Sequence, residues 1–178
     1  MFYEQDVRKR RSIRLKNHNY AARTYLITLC TQRRAALFGE IANNRMELND
    51  AGHMLEQWYG RLQAQFAQLE TDVFIVMPNH FHCIALLNPV GPMNQSERIG
   101  SSLSGIPDIV RWFKTMTTNE YLQGVKHAKW PAFSKRLWQR NYFDRIIRSE
   151  AELFQAREYI ANNHAQWTLD RDNPRNIR

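Results

Sequence analysis

Two short apolar runs that meet at Pro78-Asn79 limit what this chain can fold into more than any other feature. Val73–Met77 and His80–Leu87 (HFHCIALL) are strand-length rather than helix-length, and Pro-Asn between them is a turn signal. They read as a hairpin or as neighbouring antiparallel strands. A further strand is expected at Arg23–Thr31 (RTYLITLCT), rich in β-branched and aromatic residues. Helical spacing appears in residues 49–69, where Asn49 or Asp50 can cap a stripe of Met54, Leu55, Trp58, Leu62, Phe66 and Leu69. It recurs from Pro107 to about Leu122, with Ile109, Trp112, Phe113 and Met116 on one face. Residues 136–147 are amphipathic and extended. Ser149 and Glu152 then form an S-x-x-E capping box opening a helix to about Asn163, with Leu153, Ala156 and Ile160 on its core face. Strand, helix, strand, strand, helix, strand, helix is an α+β order: a central antiparallel sheet with helices packed mainly on one face.

Composition narrows the classes. With 43% apolar and 24% charged residues among 178, the chain can build its own core, which excludes wholesale disorder. Its two cysteines, Cys30 and Cys83, lie inside apolar runs and read as buried hydrophobes, so a disulfide framework is not expected and a reducing cytoplasm is the natural compartment. The charged start MFYEQDVRKRRSIR lacks the apolar stretch of a signal peptide, and no run is long enough to span a bilayer. Residues 88–107 read as one long loop, 1–20 as a basic arm, 21–170 as one domain and 171–178 as a tail. The net charge of +8 is uneven: residues 1–34 and 111–148 each carry +7 and the remainder −6. Two basic segments on an acidic remainder point to a polyanion, nucleic acid before others, although a solvated basic surface has the same composition. Trp112, Trp130, Trp138, Tyr142 and Phe143 are interleaved with these cations, a mixture suited to single-stranded nucleic acid, where bases stack and phosphates pair. Sequence alone does not sort those aromatics into core and surface.

His80 and His82 are two apart in a strand, so their imidazoles share a face as two ligands of one metal would, while Phe81 and Cys83 point into the core. Placed just after a turn, the pair is expected where a sheet face opens to solvent; two structural histidines would give the same pattern. Tyr159 lies beside the core stripe of the last helix, on a polar flank with Glu152, Gln155, Asn163 and Gln166. It reads either as a boundary tyrosine or as a nucleophile with a metal-binding amide at i+4. No P-loop, G-x-S-x-G, H-E-x-x-H or dinucleotide fingerprint is present.

Taken in order, YLITLCTQRRAALFGEI, MPNHFHCIALL, IPDIVRWFKTMTTNEY, LWQRNYFDRIIRSEAEL and REYIANN resemble the single-tyrosine HUH transposases of the IS200-like superfamily, more closely the REP-associated tyrosine transposases. The resemblance runs from about Ala21 to Trp167. It implies an HUH fold related to RRM-like and ferredoxin-like sheets, and cleavage and joining of single-stranded DNA at hairpin-forming, REP-like repeats. It implies Mg²⁺ or Mn²⁺ held by His80, His82 and Asn163, with Tyr159 forming a 5′-phosphotyrosine. It implies a DNA grip for which the basic candidates are Arg8, Lys9, Arg10, Arg11, Arg14, Arg111, Lys114, Arg136, Arg140, Arg145 and Arg148. A monomer acting on the nucleoid in the cytoplasm is expected, with a homodimer as the alternative. The sequence departs from the family pattern at His164, where Pro is usual and where a competing ligand would sit, and at Arg145, where His often follows the acid. Two other functions remain open: a metal-dependent nuclease using water, and a domesticated, non-mobile hairpin-binding protein.

Overall fold

A computed structural model of the chain describes residues 23–88, 105–169, 173 and 176. The expected arm over 1–20, with Arg8, Lys9, Arg10, Arg11 and Arg14, lies outside the described residues, as do most of the 88–107 loop and of the 171–178 tail.

The strands are β1 (Arg23–Cys30), β2 (Gly39–Ala42), β3 (Arg45–Leu48), β4 (Leu69–Met77), β5 (His80–Leu87) and β6 (Phe143–Ile147). The helices are α1 (Asp50–Gly60), α2 (Leu62–Gln65), α3 (Ile106–His127) and α4 (Glu150–Asn162), the last continued by a 3-10 segment over Asn163–Leu169. The central sheet has the order β4-β5-β1-β6, and its pairs are antiparallel. β1 therefore lies inside the sheet, and its apolar residues are buried on both faces. Tyr25, Ile27 and Leu29 join Phe81 and Cys83 of β5 in the main core beneath α1 and α3, with Met54, Leu55, Ile109 and Phe113. Leu26, Ile84 and Ile147 face the other way and meet Ala156 and Ile160 of α4, with Ile75 and Leu153 packed alongside. Thus α1 and α3 share one face, and among the described residues α4 and its 3-10 continuation cover the other. Among the described residues, no helix is long and apolar enough to cross a membrane.

Beyond α3 running on to His127, past the expected end near Leu122, and only Phe143–Ile147 of the expected extended 136–147 being strand, the structure departs from the sequence expectation in two larger ways. The helix expected to reach residue 69 stops near Gly60, passes into short α2, and yields at Leu69 to β4, which pairs Leu69 with Leu87. Leu69 is buried either way, so its hydrophobicity could not decide between helix and strand. A register shift between Thr71 and Phe74 breaks the alternation that would have revealed the longer strand. The Tyr59 hydroxyl lies there, 3.1 Å from the Asp72 carbonyl oxygen and 3.0 Å from that of Ile84, and its burial pushes the phenol far above its usual range. The second departure is the β2-β3 hairpin, absent from the sequence reading. Asn43 and Asn44 turn it with φ of 50° and 57°, the left-handed pair that a tight hairpin requires and asparagine tolerates.

Ser149 caps α4 as expected, its hydroxyl accepting from the Glu152 backbone N–H at 3.2 Å. The Glu152 carboxylate accepts from the Arg148 N–H rather than from Ser149. Arg157 forks onto Asp72 with two bonds of 2.9 and 2.7 Å, tying α4 to β4.

Candidate metal and nucleophile site

Strand periodicity sends His80 and His82 to the α4 face, with ring centroids 4.6 Å apart. Contrary to the expected opening to solvent, both are buried, at 0% and 3% exposure. The cover comes from α4 and its 3-10 continuation: the Trp167 ring lies 5.9 Å from His80, and the Tyr159 ring 5.2 Å from His82.

Each imidazole is oriented through Nδ1. The Asn79 amide donates Nδ2–H to the Arg34 carbonyl at 3.0 Å, which turns its Oδ1 toward His80 Nδ1 at 2.9 Å. That oxygen can only accept, so His80 donates from Nδ1, which leaves Nε2 as the ring atom that could hold a metal. His82 Nδ1 lies 2.8 Å from the Thr28 hydroxyl, the residue opposite it in the β1-β5 register. Burial first, and the neighbouring His80 second, hold the His82 imidazole well below its usual range, so it is neutral and able to donate to a metal.

Tyr159 is 43% exposed, and its hydroxyl sits 3.4 Å from His82 Nε2. Asn163, one turn on, is 3% exposed, and its Oδ1 is buried without a hydrogen-bond partner among the described residues. Asn163 lies in the chain between Tyr159 and Trp167, whose rings both approach the histidine pair. A buried carbonyl oxygen with no partner among the described residues, on the helix that covers the histidine pair, is a group that could hold a divalent cation together with imidazole nitrogens, and none of these groups brings negative charge. Among the described residues, no three His, Cys, Asp or Glu side chains come together as a metal-binding group. His164 is half-buried next to Asn163. The orienting residues Thr28, Asn79 and Trp167 escaped the sequence reading. Thr28 could have been found as a polar residue within the apolar stretch Tyr25–Cys30 of β1.

The basic candidates fall in several places. Arg111, Lys114, Arg136 and Arg140 line an open groove of about 740 Å³ between α3 and residues 133–142, on the α3 side of the sheet. Arg111 pairs with Asp108 at 2.8 Å. The Lys114 ammonium donates to the Gln139 carbonyl at 2.9 Å and lies 3.5 and 3.4 Å from those of Arg140 and Asn141, so it shapes the segment carrying Arg140. Burial lowers its pKa to about 8. Arg148 lines a separate cavity of about 530 Å³ with Arg23. Arg145 is exposed on β6, on the histidine face, in register with Leu26.

No family profile matches the chain. Among solved structures, it is similar to a REP-associated tyrosine transposase bound to a REP hairpin, at 21% identity and a TM-score of 0.49 over 82% of this chain and 68% of the other. It is also similar to a Deinococcus radiodurans protein provisionally named a transposase, at 22% identity and a TM-score of 0.49 over 84% of this chain and 97% of the other. In sequence it matches a Haemophilus influenzae protein described as uncharacterized, with 36% identity over 94% of this chain and 95% of the relative, and the chain belongs to one family with that protein.

Proposed function

We propose that this protein cleaves and rejoins single-stranded DNA at hairpin-forming, REP-like sequences, using Tyr159 as a covalent nucleophile beside a divalent-metal site of His80, His82 and Asn163. The observation that carries the reading is the Tyr159 hydroxyl 3.4 Å from His82 Nε2, one helical turn from a buried Asn163 oxygen that has no hydrogen-bond partner among the described residues. A boundary tyrosine has no need of such neighbours.

Mg²⁺ or Mn²⁺ bound there would supply Lewis-acid polarisation of a scissile phosphate oxygen. The protein's own residues do the rest. Thr28 and Asn79 fix the two rings through Nδ1, so both Nε2 atoms are presented without rearrangement. Tyr159, exposed on the flank of α4, can reach a phosphate from solvent while Ile160 anchors the helix beneath it. Its oxygen forms the bond to phosphorus, the bond to the 3′ oxygen breaks, the phenol proton leaves to water, and the departing oxygen takes one up as a free 3′-hydroxyl. The phosphotyrosine keeps the bond energy, so a second 3′-hydroxyl can reverse the step and join strands without a nucleotide cofactor.

The test is a denaturation-resistant protein–DNA adduct formed with single-stranded hairpin DNA in Mg²⁺ or Mn²⁺, followed by peptide mapping. Tyr159→Phe should bind DNA and form no adduct, and His80→Ala should lose metal-dependent cleavage. A nucleotide mass on another tyrosine refutes the assignment, and cleavage without any adduct favours the water-dependent nuclease.

A further inference from the structure

The five aromatics interleaved with cations separate in the fold. Trp138 is buried, Trp112, Trp130 and Tyr142 are half-buried against the main core, and Phe143 is 46% exposed. An exposed phenylalanine on an edge strand offers a flat apolar face to a partner. Its register gives it a place: Phe143 pairs with Thr28, and Thr28 pairs with His82, so the three share one row on the α4 face. Two strand spacings put Phe143 about 10 Å from His82, backbone to backbone. That is the reach of one or two nucleotides along a single strand. Among the described residues, α4 packs over Ile84, Leu26 and Ile147 and does not reach Phe143 in that cluster. Two residues along the same face is exposed Arg145. The preceding residue, Tyr142, lines the basic groove on the α3 side. A strand passing from that groove to Tyr159 would cross the sheet edge at Phe143.

We propose that Phe143 is a stacking platform for one base of the DNA strand, held one or two nucleotides from the phosphate at Tyr159, with Arg145 beside it for a backbone phosphate. This rests on the reading of the protein as a single-stranded-DNA enzyme. An aromatic face accepts any base, so Phe143 sets the path and register of the strand, and sequence choice lies elsewhere.

The probe is oligo-dT carrying 5-iodouracil, which crosslinks under near-ultraviolet light to aromatic rings it stacks on. Wild-type protein should yield an adduct mapped to Phe143. Phe143→Ala should bind the oligonucleotide about 5- to 150-fold more weakly, with an unchanged melting temperature, and Phe143→Tyr should restore binding. Unchanged affinity in Phe143→Ala, or crosslinks confined to other residues while DNA is bound, overturns the platform and leaves the proposed function standing. Failure of the wild-type protein to bind single-stranded DNA at any salt concentration overturns both.

Discussion

Replacing Ile160 with alanine tests whether α4, and with it the proposed nucleophile, is held in place by the small core on the histidine face. Ile160 is 2% exposed and packs with Leu26, Ile84, Ile147 and Ala156. The substitution removes three carbons, worth about 2.4 kcal/mol of transfer free energy at about 0.8 kcal/mol per buried methylene. The residual cavity brings the expected loss to about 2–5 kcal/mol. Of the other contacts of α4, Ala156 and Leu153 belong to the same small core, and the Arg157–Asp72 pair is substantially exposed, where such pairs contribute about 0.2–1 kcal/mol. The loss should therefore appear first as local opening of α4, with hydrogen exchange rising over residues 150–162 while β1 and β5 stay protected. Adduct formation should fall with it, although Tyr159 and both histidines are intact. Urea titration gives the global loss and exchange with mass spectrometry its location. A loss under about 1 kcal/mol with unchanged exchange in α4 would refute the packing argument.

Gly124→Ala sets two effects against each other. In a helix interior alanine gains about 1 kcal/mol over glycine, but here its Cβ would press into the Trp130 ring, and overpacking costs about 1–3 kcal/mol. The melting temperature should fall; a rise would show that Trp130 moves freely. Lys114 makes a pH prediction. Its folded pKa, lowered by burial to about 8, lies below the usual lysine value, so the unfolded chain binds more protons between the two. The contribution of this group to stability is present above the unfolded value and is lost as pH falls through 8. Relative to Lys114→Met, the wild type should gain stability from pH 8 to pH 10, read as a widening gap in urea midpoints, and a constant gap would refute it.

Which parts of this protein a sequence reveals follows from the range of the interactions involved. His80 and His82 share a face because strand side chains alternate, and Tyr159 and Asn163 share a flank because a helix turns every 3.6 residues. Ser149 caps α4 through a bond within four residues. Each is local geometry, set by residues close together in the chain. The α+β order follows in the same way, from runs of strand and helix length separated by turn signals. Pairing between distant segments is different. That Thr28 orients His82 depends on a register across 54 residues, and that Trp167 covers His80 depends on where the end of α4 lands. The extension of β4 to Leu69 was decided by its partner Leu87. Nor does an amphipathic stripe say which face of a sheet it will cover. Only the tertiary structure laid α4 over the histidines, turning an expected open face into a buried pair, and only it left Phe143 exposed while burying Trp138, since both are equally apolar in sequence and differ solely in what the rest of the chain brings against them.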